Sequence, residues 1–336
     1  MAPSAILPEP DVSPAHDDPT VVALRKTLTS ESSPLAARFR ALFSLKHLAC
    51  LQPPNSQTVP AINAIADAFV SPSALLKHEL AYCLGQTRNQ AAIPHLRHVL
   101  QDRQQEPICR HEAAEALGAL GDQKSVQLLK ERRDDETEEV VVRETCEIAV
   151  DRLDWESGDN KAKEKLRQSD FSSIDPAPSM PQESSQPSIP QLEQTLLDTK
   201  LPLFNRYRAM FTLRDLASPP DLPTAVPAIH ALARGMYDPS ALFRHEIAFV
   251  FGQLSHPASI PSLTETLSNL KEEGMVRHEA AEALGSLGDE EGVEETLKKF
   301  IDDPEQVVRE SIVVALDMAE FEKNGETQYA TIPIAA

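Results

Sequence analysis

Four His-Glu dipeptides, His78-Glu79, His111-Glu112, His245-Glu246 and His278-Glu279, hold four of the chain's ten histidines. Neutral imidazole with carboxylate and open positions is the ligand set of non-haem Fe(II), two histidines and one carboxylate per metal. No thiolate accompanies them, which weakens a structural-zinc reading. A set duplicated along the chain suggests two metals, one largely served by each half. One His-Glu pair on a helix is ordinarily a surface pair or a satisfied core polar group. Four copies at one register favour a metal site, because the flanking repeats carry Phe39-Arg40, Arg143-Glu144, Tyr207-Arg208 and Arg309-Glu310 there instead. Duplication explains a copy in each half, but not why two repeats within a half share the pair and two do not. Glu115 and Glu282 follow His111 and His278 by four residues, on the same helix face. They read as ligands or as partners orienting the imidazole, with an intrahelical pair to a neighbouring arginine as the competing reading. His47, His95, His98, His230 and His256 have no counterparts and read as surface or packing residues, with His16 in a tail.

The elements that must position these residues are repeats. Val59-Pro-Ala-Ile recurs as Val226-Pro-Ala-Ile, and Pro72-Ser-Ala-Leu as Pro239-Ser-Ala-Leu, each 167 residues later. Arg110 to Asp122 matches Arg277 to Asp289 at 12 of 13 positions, at the same distance. Within each half the two central His-Glu pairs are 33 residues apart. That period, with apolar residues at helical spacing, means stacked helix pairs. Pro60, Pro94, Pro227 and Pro261 mark helix starts; Gly121-Asp122 and Gly288-Asp289 mark helix ends. The fold class is all-α: an α-solenoid of HEAT-like helical hairpins in two four-repeat halves related by internal duplication. Residues 1–22 read as a disordered tail, 23–154 as the N-terminal half, 155–190 as a flexible Pro/Ser/Gln linker, 191–321 as the C-terminal half and 322–336 as a tail. Equivalent helices of stacked repeats lie about 8–10 Å apart, so one register converges on one patch, and two patches face each other if the halves fold together.

Composition excludes several classes. There are 52 acidic and 32 basic residues, a net charge of −20, which argues against nucleic acid as a partner and favours cationic substrates or basic proteins. No apolar run reaches the roughly 18 residues of a membrane span, and the N-terminus does not read as a signal peptide. Cys50, Cys83, Cys109 and Cys146 are scattered, as expected for reduced thiols in a cytoplasmic protein; presence in the nucleus is also compatible. No Walker loop, GxGxxG or GxSxG is present. Gly85-Gln86 and Gly252-Gln253 read as close helix contacts, and the Lys77, Arg110, Arg244 and Arg277 cations as pairing with acids of the next repeat.

Two HEAT-like four-repeat halves, each with two His-Glu motifs, closely resemble the deoxyhypusine hydroxylase family over residues 23–321. The resemblance implies a non-haem di-iron monooxygenase. It would use molecular oxygen and a reductant to hydroxylate the deoxyhypusine side chain of eukaryotic translation initiation factor 5A, the final step of hypusine formation. It also implies that His78, Glu79, His111, Glu112, His245, Glu246, His278 and Glu279 match the iron-site motifs one for one. Which glutamates face iron and which hold the substrate amine stays open, because adjacent helical residues point about 100° apart. The rival from another class is a non-catalytic HEAT-repeat scaffold, which has no need of four such pairs confined to the central repeats.

Overall fold

A computed structural model describes residues 18–158, 164–166, 169–181 and 187–323. His16 and the greater part of both expected tails lie outside these residues. Among the described residues every regular element is helical. The N-terminal half is four hairpins: α1 (Pro19–Thr29) with α2 (Leu35–Ala49), α3 (Thr58–Ala66) with α4 (Ala74–Gln86), α5 (Ile93–Gln101) with α6 (Pro107–Ala119), and α7 (Val126–Arg133) with α8 (Val140–Ser157). The C-terminal half repeats them: α9 (Ile189–Leu197) with α10 (Leu203–Ala217), α11 (Ala225–Arg234) with α12 (Ala241–Leu254), α13 (Ile260–Ser268) with α14 (Gly274–Gly285), and α15 (Val293–Lys298) with α16 (Gln306–Lys323). Helix α1 starts inside the stretch expected to be a tail, because Asp18 caps it by accepting from the Thr20 N–H at 2.9 Å and Pro19 opens its first turn.

Several hairpins are closed by a side chain. Arg38, Arg206 and Arg277 near the start of an inner helix donate from Nε to the carbonyls of Leu28, Leu196 and Leu267, ten residues earlier, at 2.8–3.0 Å. These carbonyls belong to the last turn of the outer helix, which has no intrahelical donor for them. The same arginines reach acids: Arg38 pairs with Glu31, Arg206 with Asp238 and Arg277 with Asp303. The expected inter-repeat pairs are Lys77–Glu106, Arg110–Glu138, Arg244–Glu272 and Arg277–Asp303.

Successive inner helices approach closely where glycine meets alanine. A Cβ on Gly85 would stand 2.8 Å from Ala116 Cβ, which shows why α4 needs a hydrogen there to lie against α6. The two glycines expected to end helices differ. Gly121, at φ +68°, makes a left-handed cap in which Asp122 N–H reaches the Leu117 carbonyl at 3.3 Å. Gly288 lies beyond the end of α14 and admits Ala319, whose Cβ would collide with any side chain placed there.

The inner helices α2, α4, α6, α8, α10, α12, α14 and α16 contact one another in sequence, and α16 returns to α2, so the solenoid closes into a ring. Its two junctions between halves carry the same bond: Ser73 donates to Glu310 at 2.7 Å, and Ser240 to Glu144 at 2.7 Å. Arg40 adds an ion pair with Asp317 at 2.5 Å where α2 meets α16.

The stretch expected to be a flexible linker does not behave as one where it is described. Helix α8 runs three residues into it, and residues 169–181 form a strap docked on both halves. Asp175 takes two bonds of 2.8 Å from buried Arg214, Ile174 bonds both ways with the Gln86 amide, and the Gln253 amide donates to Ser173 at 2.8 Å. Arg208, the counterpart of Arg40, turns to the carbonyls of Pro178 and Ser179 and to Glu164. The composition is polar and proline-rich, but the partners are the buried Arg214 and the half-buried Arg208, Gln86 and Gln253 of the ring, which composition alone does not reveal.

Candidate metal centre

The four His-Glu pairs sit at one register of α4, α6, α12 and α14, and all eight side chains are buried. Closure of the ring brings them to one place. The imidazole centroids of His78 lie 5.4 Å from His111, 5.7 Å from His245 and 5.2 Å from His278; His245 lies 5.3 Å from His111 and 5.4 Å from His278. Donor atoms of His78, His111 and His245 come within 4.8 Å of one another, as do those of His245, His278 and Glu279, and those of His111, Glu112 and Glu115. Only the first grouping departs from the one-metal-per-half arrangement expected from sequence, since His245 there joins two histidines of the opposite half; the other two each stay within one half.

These nitrogens are orphaned. Both ring nitrogens of His78, His111 and His245, and Nε2 of His278, are buried without a hydrogen bond, as is Glu246 Oε1. Carboxylates stand near without bonding: Glu112 at 3.4 Å from His78 Nε2, Glu79 at 3.5 Å from its Nδ1, and Glu279 at 3.4 Å from His245 Nε2. Buried polar atoms are nearly always paired, so such a cluster is costly unless cations fill it. Divalent cations fit this donor set, because they would pair both the imidazole lone pairs and the crowded carboxylates.

The electrostatics agree. Burial, together with the neighbouring imidazoles, holds His111 and His278 well below the usual histidine range, so both stay neutral and able to ligate. Burial alone would do the same to His78, but Glu112 and Glu79 outweigh it and push it well up. Burial and neighbouring carboxylates push Glu115, Glu246 and Glu282 well above the usual carboxylate range. Glu282 touches His278 Nδ1 at 3.4 Å and accepts from Ser311 at 3.0 Å, the geometry of an orienting partner. Glu115 stands with Glu112 beside His111.

A cavity of about 200 Å³ opens onto the cluster, lined by Glu79, Glu112, Glu246 and Glu279 and walled by Phe43 and Tyr82. Its remaining lining includes Phe39, Lys46, Phe249 and Met318, which sequence reasoning did not select. A signal existed: Tyr82 and Phe249 follow His78 and His245 by four residues, the spacing that singled out Glu115 and Glu282. Of the remaining histidines, His47, His98 and His230 are exposed, and His256 caps a short turn by accepting from the Ala258 N–H at 3.0 Å. The glutamine ends of α4 and α12 serve the strap.

A model of HEAT repeats matches residues 62–150 and 226–317, which makes the chain a HEAT-repeat protein. A curated deoxyhypusine hydroxylase of Phaeosphaeria nodorum is 75% identical over 320 residues, covering 95% of this chain and 97% of that protein. Another, of Neurospora crassa, is 68% identical, covering 94% and 98%. The structure of human deoxyhypusine hydroxylase in complex with glycerol is similar at a TM-score of 0.78 and 46% identity, covering 89% of this chain and 96% of that one. The chain belongs to the deoxyhypusine hydroxylase family.

Proposed function

We propose that this protein hydroxylates the deoxyhypusine side chain of eukaryotic translation initiation factor 5A, the final step of hypusine formation, at a site holding two iron ions. The observation that carries the reading is the cluster of four buried imidazoles whose nitrogens, His278 Nδ1 apart, have no hydrogen bonds, set at the base of a carboxylate-lined cavity. His78, His111, His245 and His278, with carboxylates drawn from Glu79, Glu112, Glu246 and Glu279, are the residues that would hold the metals. When bound, a pair of ferrous ions supplies the two-electron reduction of molecular oxygen that C–H hydroxylation requires, with an external reductant restoring the ferrous state.

The chain's own residues do the rest. His111 and His278, kept neutral by burial, offer lone pairs without first losing a proton. The substrate side chain is a long aliphatic amine, positively charged at neutral pH. Carboxylates not engaged by metal hold its ammonium by charge-assisted hydrogen bonds, which strengthen in a site that excludes water. Fixing the amine fixes one methylene beside the reacting centre, and position selects the carbon. Phe39, Phe43 and Met318 give the methylene chain an apolar wall.

The test is mass spectrometry of the deoxyhypusine-bearing factor after incubation with reduced, iron-loaded protein in air. A gain of one oxygen atom on the modified lysine is expected. No gain, with iron content verified, would reject the hydroxylase reading and leave a HEAT-repeat binding scaffold.

A further inference from the structure

Duplication gives the ring two related approaches to the site, one beside α2 and α16 and one beside α10 and α8. The strap fills the second. There Arg214, 1% exposed, is held by Asp175 at 2.8 Å and Asp215 at 3.0 Å, and its guanidinium stands 4.5 Å from the Phe171 ring and 4.8 Å from Phe211. Among the described residues no counterpart of the strap covers the first approach, and its residues differ where it matters. Aligning Arg38-Phe-Arg with Arg206-Tyr-Arg puts Lys46 in the place of Arg214, Phe43 in that of Phe211 and His47 in that of Asp215. Asp215, one of the carboxylates that pin the arginine, therefore has no acidic counterpart beside Lys46. Lys46 Nζ rests instead on aromatic faces, 4.8 Å from the Tyr82 ring centre and 5.5 Å from Phe43. Phe43, Lys46 and Tyr82 line the site cavity and also a groove of about 740 Å³ outside it. They are the neck between the two.

We infer that Lys46 is a displaceable placeholder at the entrance: its ammonium occupies the aromatic faces that the secondary ammonium of the substrate's aminobutyl-lysine side chain takes over as Lys46 swings into the groove, while the terminal ammonium goes on to the carboxylates. This rests on the proposed reading that the substrate is a cationic alkylamine. Among the described residues lining the cavity, Lys46 is the one lysine or arginine, facing several carboxylates. Two ammonium groups cannot share the faces of Phe43 and Tyr82, since like charges at such range repel. An entering cation must therefore move Lys46 or stay out. Lysine suits an exchangeable role, with a flexible stem and a compact charge, whereas the forked guanidinium at Arg214 is locked by its carboxylates. Uncharged side chains cannot replace the cation on the aromatic rings, so the neck selects for charge as well as shape.

The test measures binding of two short peptides to the whole protein, one bearing an aminobutyl-lysine and one bearing an uncharged alkyl chain of similar length. Lys46→Met should tighten the cationic peptide roughly threefold to tenfold and leave the alkyl peptide unchanged. Phe43→Leu should weaken the cationic peptide, and Lys46→Arg should keep the wild-type affinity, showing that charge and not fold is at issue. In turnover the Lys46→Met change should fall on KM rather than kcat. Unchanged or weaker binding of the cationic peptide by Lys46→Met overturns the inference. A peptide that binds as expected yet never gains oxygen rejects the hydroxylase reading and leaves the placeholder standing. Oxygen gain with KM unmoved by Lys46→Met rejects the placeholder alone.

Discussion

At the scale of the residue, the cluster is defined by what its atoms lack. His278 Nε2 is buried and unbonded, while its Nδ1 faces Glu282. If the cluster holds metal as proposed, losing the first would remove a ligand and losing the second an orienting partner. His278→Ala should abolish one metal site with the helical circular-dichroism signal retained. Glu282→Gln should lower metal affinity by about 10–100-fold, with both read by metal analysis after dialysis. The buried Arg277–Asp303 pair makes a separate prediction. Burial alone would raise the Asp303 carboxyl, but Arg277 and the Glu305 N–H hold it below the usual carboxylate range. Its contribution is therefore present at neutral pH and lost as the pH falls through that lowered value. Asp303→Asn, which leaves Arg277 buried without its counter-charge, should cost about 3–5 kcal/mol in urea unfolding at neutral pH, with the difference from wild type shrinking in acid. The site histidines were legible in the sequence because repetition exposed them as departures from a repeat. Phe43 and Lys46 were not, because they belong to a flanking repeat whose register looked unremarkable until the ring set it over the cluster.

At the scale of the element, the inner helices must lie close enough for side chains on four of them to meet. Gly85 permits this between α4 and α6, and Gly85→Ala would set Cβ against Cβ at 2.8 Å. Overpacking of that kind costs about 1–3 kcal/mol. Thermal unfolding should show the loss, and metal retention should drop with it, since α4 carries His78 and α6 carries His111. The sequence revealed the hairpins through proline starts and the 33-residue spacing, and the glycines through their place beside the motifs. It misassigned Gly288, because a glycine that ends a helix and one that admits a neighbour look alike without the neighbour. The same blindness made the linker look loose: Asp175 has a partner in Arg214, which is 39 positions away.

At the scale of the whole molecule, the halves are bound to each other through both junctions and the strap, and together they form the cluster. Donor groups of His78 and His111 with His245 span the divide. Metal bound there stabilises the ring over any opened form by mass action, by about 2.7 kcal/mol at a free concentration 100 times the dissociation constant. Metal-loaded protein should accordingly melt higher and resist limited proteolysis longer than chelated protein; equal melting would show that the cluster does not bridge the halves. The two four-repeat halves were evident from duplication alone. Their closure into a ring was not, because it depends on pairs such as Arg40–Asp317 that no local pattern links.

That pair joins residues 277 positions apart, whereas the hairpins are stapled across ten. Local contacts form first, and the loop closed last carries the greatest entropic cost. Arg40→Ala should therefore speed unfolding while leaving the folding rate of the hairpins nearly unchanged, as stopped-flow fluorescence can measure. On the ribosome the order is stricter still. The segment bearing His78 and His111 emerges while its counterpart is still being synthesised, and α16, which closes the ring on α2, follows both. The fourfold cluster cannot be complete until His278 has followed His78 out of the tunnel, 200 residues later, so the centre is assembled from two halves of different age rather than built in one place at one time.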